Sequence, residues 1–194
     1  MTDFQPGDAD DGRALVIVAH PDRQDEARSV ATNLAALGLA TLLVEFDAAT
    51  PDRQATARIN AAAETLAERD EVRDDGIGAL GIGRGATWVL LAACERGRID
   101  ALVLVDPHPV YADLDVDHPV QPLEMLLNLD APMLCVYRGG AVAEPDRLAL
   151  HQRAQAFART LEILDLPRST PNADLFSSTS EQDALSAFLD DYLP

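Results

Sequence analysis

Continuous apolar runs alternate with helix-patterned segments along this chain, and that alternation constrains its fold more than any other feature. The run from Arg13 to His20, RALVIVAH, is apolar and β-branched without a polar interruption, the pattern of a strand buried on both faces. Asp22 is placed to cap the helix that follows, with Asp25 and Glu26 at its positive end. That helix carries Ala27, Val30, Ala31, Leu34 and Leu37 on one stripe and stops at Gly38. The same unit recurs: strand 40–46, then a helix opened by Thr50-Pro51 with Ile59, Ala62 and Leu66 inward; strand 76–82, then helix 86–95; strand 101–105. A long connection, PHPVYADLDVDHPVQP, leads to a short helix near 123–129. Strand 132–137, a helix from Pro145, strand 161–166 and a last helix begun by a capping box at Ser180 complete the pattern. Strand–helix alternation predicts right-handed crossovers and an α/β, doubly wound, mainly parallel sheet of six strands. The predicted spatial order is 2-1-3-4-5-6. Residues 13–194 form the single domain and residues 1–12 a polar leader.

In such a sheet ligands bind beyond the carboxyl ends of the strands, near the switch in strand order. The residues predicted at that rim are His20, Asp22, Asp47, Gly83, Arg84, Asp106, His108 and Arg138. His20, Asp22, Arg84, Asp106 and His108 are the candidates for one ligand pocket. Arg84 opens a helix whose first-turn amides favour an anion, so a small anionic molecule is the expected ligand.

Composition narrows the partners. The net charge is −18 and all 15 basic residues are arginine, with no lysine. Such a surface repels nucleic acid and anionic lipid. High-salt adaptation and a genome rich in G and C both explain it. No segment reaches the about 18 apolar residues of a membrane span, and the acidic start is neither signal nor transit peptide. Cys94 and Cys135 fall inside apolar runs with no metal-type spacing, which predicts buried thiols in a cytoplasmic protein. No metal and no cofactor are expected; a homo-oligomer or a protein partner is compatible with the chain.

The stretch GALGIGRGATWVLL, residues 78–91, joins a strand to a helix that is apolar all round. Strand–turn–helix with the pattern G-x-S-x-G is the nucleophile elbow, and here Gly81, Gly83 and Gly85 fill its frame. With ALVIVAHPD, GIGRGA, ALVLVDPHP, APMLCVYRGG and NADLF in this order, the chain resembles the dienelactone hydrolase-like branch of the α/β-hydrolase fold, from about Ala14 to the C-terminus. The resemblance implies an acyl-transfer site with a nucleophile at Gly83, an acid near Val142 and a histidine at Asp174. None of those three residues has the required group: Gly83 offers no oxygen or sulfur, Val142 no carboxylate, and no histidine lies beyond residue 168. The predicted function is therefore a non-catalytic binding or regulatory module on a hydrolase fold. An active carboxylesterase or lactonase with a displaced site is the alternative.

Two further readings use the same residues. Gly81, Gly83 and Ala86 also fit the dinucleotide pattern G-x-G-x-x-A, with Asp106 about 20 residues on as the ribose-binding acid. AHPDRQDE is similar to the AHPDDE start of zinc-dependent sugar deacetylases, with Asp106, His108, Asp117 and His118 as further donors. There Arg23-Gln24 interrupts the acidic pair, and an arginine beside a metal is unfavourable.

Overall fold

The structure, a computed structural model, describes residues 2–7, 12–73, 76–95, 97–114, 116, 120–167 and 175–193. Its strands are β1 (Thr2–Gln5), β2 (Ala14–Ala19), β3 (Ala40–Val44), β4 (Ile77–Ile82), β5 (Ala101–Val105), β6 (Met133–Arg138) and β7 (Leu161–Leu166). Its helices are α1 (Gln24–Ala35), α2 (Asp52–Ala67), α3 (Arg84–Cys94), the short α4 (Pro122–Met125), α5 (Glu144–Ala156) and α6 (Thr179–Tyr192). They build one sheet in the order β1-β3-β2-β4-β5-β6-β7, parallel throughout except for the β1–β3 pair. The six predicted strands are β2 to β7, in the predicted spatial order.

The seventh strand corrects the reading of residues 1–12 as a leader. Thr2–Gln5 pairs antiparallel with β3, and Phe4 packs on the core beneath the Arg69 guanidinium, 3.5 Å from its ring centroid. A four-residue edge strand with one large apolar side chain has too short a pattern to separate from a polar tail.

β2, β3, β4, β5 and β6 are buried along their whole length, as continuous apolar runs require when helices cover both faces. Side chains on one face join α2, α3 and α5 in a core that includes Trp88, Ile59 and Leu150. Those on the other face meet α1 and α6 through Leu34, Phe188 and Leu189. α3 lies against β2, β4 and β5 and is itself covered by α2 and α4, which is why its sequence is apolar on every side.

Two predicted caps move. Asp22 sits inside a single 3-10 turn, Pro21–Arg23, and caps nothing; its carboxylate faces His20 instead. The cap of α6 is Ser178, whose Oγ accepts from the Glu181 amide, while the Glu181 carboxylate accepts from the Phe176 amide at 2.7 Å. The serine–glutamate spacing of a capping box is thus Ser178 to Glu181, two residues earlier than predicted.

Candidate functional site

β2 pairs with β3 on one side and with β4 on the other, so the direction of strand order switches between β2 and β4. Their registered ends are Ala19 and Ile82, which puts His20 and Gly83 side by side at the rim.

Gly83 is an elbow. It has φ +60° and ψ −121°, its amide donates to the Val105 carbonyl at 2.8 Å, and α3 starts at the next residue. The three glycines of the frame serve different ends. A Cβ on Gly81 would lie 2.4 Å from the Ala86 Cα, and one on Gly85 2.5 Å from the Val18 carbonyl oxygen. These two glycines let strand and helix touch. A Cβ on Gly83 would meet nothing within 4 Å, so glycine is needed there only for its backbone angle. The space that a nucleophile's side chain would enter is open.

The other two positions that the hydrolase resemblance singles out fare differently. Val142 is buried in the core cluster on the α5 face and carries no polar group. Asp174 lies outside the described residues. Neither thiol has the character of a nucleophile. Cys94 and Cys135 are buried, and burial pushes both up to about 12, far from a reactive thiolate.

Of the five pocket candidates, Arg84 and His108 share a cleft of about 480 Å³, with Thr87 and Tyr111 in its walls. His20 and Asp22 form their own pair next to it: Nδ1 stands 2.5 Å from the Asp22 carboxylate, and the imidazole is 6.0 Å from the Trp88 ring. The hydrogen bond from His20 holds the Asp22 carboxyl below the usual carboxylate range. Asp106 is not in the cleft. Its carboxylate accepts from the Arg138 backbone amide at 2.9 Å and from the Arg138 Nε at 2.5 Å, and Arg138 also donates to Glu26. The three side chains are nearly inaccessible and form a buried ion network under the rim. Asp106 holds φ +46° to reach it. This arrangement does not leave Asp106 to a ribose hydroxyl, which removes the acid that the dinucleotide reading depends on.

Metal-ligand geometry is likewise missing among the described residues, where no three His, Cys, Asp or Glu side chains cluster. His20 and Asp22 face each other, and Arg23 turns to Glu26 at 3.1 Å. Asp117 and His118 lie outside the described residues.

A carboxylate that no sequence pattern singles out organises the site. Asp52, the first residue of α2, is buried and accepts from the Trp88 Nε1 at 2.7 Å, from the Arg84 Nη2 at 3.1 Å and from the Tyr111 hydroxyl. Burial, and then the bond to Asp52, pushes the Tyr111 phenol well above its usual range. Asp52 thereby ties the elbow helix to the long connection after β5. That connection is fastened twice more: the Thr87 hydroxyl donates to the His108 carbonyl at 2.8 Å, and Gln121 exchanges two bonds with the Tyr111 backbone at 2.7 and 2.9 Å. The length of the loop flagged it, but nothing in the sequence pairs Tyr111 with Asp52, 59 residues away. The positive charge of Arg84, which was expected to attract an anion, is directed to Asp52.

The chain matches no protein-family model, and no curated protein sequence matches it. Solved structures do. It is similar to Est1E from Butyrivibrio proteoclasticus with ferulic acid bound, at TM-score 0.75 and 16% identity over 97% of this chain and 95% of that one. An esterase of Pyrococcus furiosus superposes at TM-score 0.73 and 14% identity, covering 100% and 91%. A dienelactone hydrolase-like promiscuous phosphotriesterase from metagenomic libraries gives TM-score 0.70 and 18% identity, covering 97% and 90%. The chain has the α/β-hydrolase fold, and dienelactone hydrolase-like and esterase structures are among its structural neighbours. At these identities the likeness fixes the fold alone.

Proposed function

We propose that this α/β-hydrolase-fold protein binds a small organic anion without cleaving it, as a binding or regulatory module. One observation carries the proposal: Gly83 stands at the elbow, in the elbow's strained backbone angle, with open space where a nucleophile's side chain would project. Acyl transfer needs an attacking atom, a base in reach of it and a group that orients the base. The residue at the first position has no side chain, and the residue that the resemblance puts at the acid is a buried valine. The ligand class draws on the rim cleft with Arg84 and His108, and on a structural neighbour that holds ferulic acid, an organic carboxylate. The free buried thiols suit a cytoplasmic setting, and no helix among the described residues is long and apolar enough to cross a membrane.

The competing reading is an esterase with a displaced site. It draws on His20, whose imidazole is oriented by Asp22 beside the elbow, as a base would be. Steady-state turnover of p-nitrophenyl acetate and of a small lactone separates the two. The proposal expects rates within the residual about 10³–10⁴ over water that oxyanion contacts and binding alone supply. Robust turnover lost on His20→Asn would establish the esterase.

A further inference from the structure

Away from the rim, a groove of about 320 Å³ runs between α2 and the sheet edge formed by β1 and β3. Its size is at the small end of the range for small-molecule sites. The floor is apolar, from Phe4, Leu42 and Val44 on the strands and Ala62 on the helix. Two arginines line it, Arg58 from the second turn of α2 and Arg69 just past its end. Among the described residues no carboxylate lines it. Strand alternation turns Asp3 to the opposite face of the sheet from Phe4.

Two arginines around a groove without acids stand out in this chain. Acidic residues outnumber basic ones 33 to 15, and most described arginines rest on a carboxylate, Arg13, Arg28, Arg98, Arg138 and Arg147 among them. Arg58 and Arg69 lie on aromatic rings instead, with the guanidinium carbon 4.6 Å from the Phe46 centroid and 3.5 Å from the Phe4 centroid. Stacking occupies the flat face of a guanidinium and leaves the N–H fork at its edge for a planar anion. Arg58 gives one N–H to the Glu45 carbonyl at 2.7 Å, and the Arg69 Nε is buried with no hydrogen-bond partner. The fold sets the two cations apart. Phe4 pairs with Leu42, and Phe46 comes four residues later, about 13 Å along an extended chain. From 58 to 69 the helix makes about three turns, which returns both arginines to one face. Cations at the two ends of an apolar trough fit a long molecule with an anionic group at each end.

We propose that this groove is a second ligand site, separate from the rim cleft, and that it takes an elongated α,ω-dicarboxylate, with one carboxylate on each of Arg58 and Arg69 and an aliphatic middle along Leu42, Val44 and Ala62.

Calorimetric titration of the full chain with decanedioate, decanoate, succinate and 1,10-decanediol tests it, in about 0.15 M potassium chloride to screen the net charge of −18. Decanedioate, which reaches both arginines, binds about tenfold more tightly than decanoate, which reaches one. Succinate is too short to span the groove and the diol offers no charge, so both bind more weakly still. Arg58→Met and Arg69→Met keep an unbranched side chain over each ring and remove the charge. Each brings decanedioate down to the level of decanoate and leaves the diol unchanged. Ala61→Trp, at an exposed position lining the groove, blocks decanedioate, whereas His108→Ala in the rim cleft leaves it unchanged. Decanedioate that fails to bind, binds no more tightly than decanoate, is indifferent to either arginine substitution, or survives Ala61→Trp overturns the inference. Loss of decanedioate on His108→Ala also overturns it, by moving the molecule to the rim cleft, and leaves the binding role proposed above standing.

Discussion

Replacing Arg138 with alanine removes the cation from the middle of a buried network and leaves two carboxylates facing the gap. Glu26, Asp106 and Arg138 have side chains 3%, 4% and 8% exposed, so water screens them little. Glu26 keeps Arg23 at 3.1 Å, a partner 39% exposed and therefore weak. Asp106 loses the Nε donor at 2.5 Å and keeps only the backbone amide of residue 138. Removing one partner of a buried pair costs about 3–5 kcal/mol, because the charge left behind is desolvated without compensation. For a domain of this size each kcal/mol lowers the melting temperature by about 2–4 °C, so Arg138→Ala should melt on the order of 10 °C lower. Guanidinium denaturation with calorimetry measures it, at about 0.5 M potassium chloride so that the added net negative charge is screened. Two controls locate the effect. Arg23→Ala should cost at most about 1 kcal/mol. Combining Arg138→Met with Glu26→Leu and Asp106→Asn should recover most of the loss, since no charge is then stranded. A loss below about 1 kcal/mol for Arg138→Ala would refute the reasoning and leave Asp106 to be reconsidered as a ligand group.

Other expectations follow from the elbow, the surface and the rim. Gly83→Ala should cost about 1–2 kcal/mol, from backbone angle alone, whereas Gly81→Ala should cost about 3 kcal/mol or more because its Cβ would overlap the Ala86 backbone; equal losses would contradict the steric account. In carboxyl NMR titrations Asp22 should titrate below 3.8, and His20→Asn should bring it back up. Because the folded value is the lower one, what Asp22 contributes to stability is present above 3.8 and lost as pH falls through the folded value. If the acidic surface is an adaptation to salt, the melting temperature should climb steadily up to molar potassium chloride, and a flat profile would favour genome composition instead.

The parts of the fold that sequence made legible are those set by local periodicity. Doubly buried strands such as Ala14–Ala19 and Ala101–Val105 are continuous apolar runs, and their alternation with helices dictates a parallel sheet and its order. The turn at Gly83 was legible for a related reason, since glycines at 81, 83 and 85 between an apolar strand and an apolar helix mark the elbow frame. β1 was not, because its partner strand lies some forty residues on and its own pattern holds a single phenylalanine. At the site, the sequence could name residues at strand ends but not the direction in which each side chain turns. Asp106 and His108 are two residues apart, yet one is drawn under the rim by Arg138 and Glu26 while the other lines the cleft. Asp52 stands out by no pattern of its own, and only folding brings Trp88, Arg84 and Tyr111 to it. Long-range pairings of this kind leave no periodic trace.

The central claim is that the elbow keeps its backbone without its chemistry, and covalent labelling of the purified native protein tests it most directly. Incubation with a fluorophosphonate and, separately, with a thiol-directed acylating probe, followed by intact-mass and peptide analysis, reports any activated hydroxyl or thiol regardless of its substrate. The account predicts an unmodified mass with both reagents: Gly83 has nothing to acylate, and the thiols of Cys94 and Cys135 are buried and pushed up to about 12. Stoichiometric labelling of one serine or cysteine, abolished by His20→Asn and accompanied by ester turnover that the same substitution removes, would contradict it.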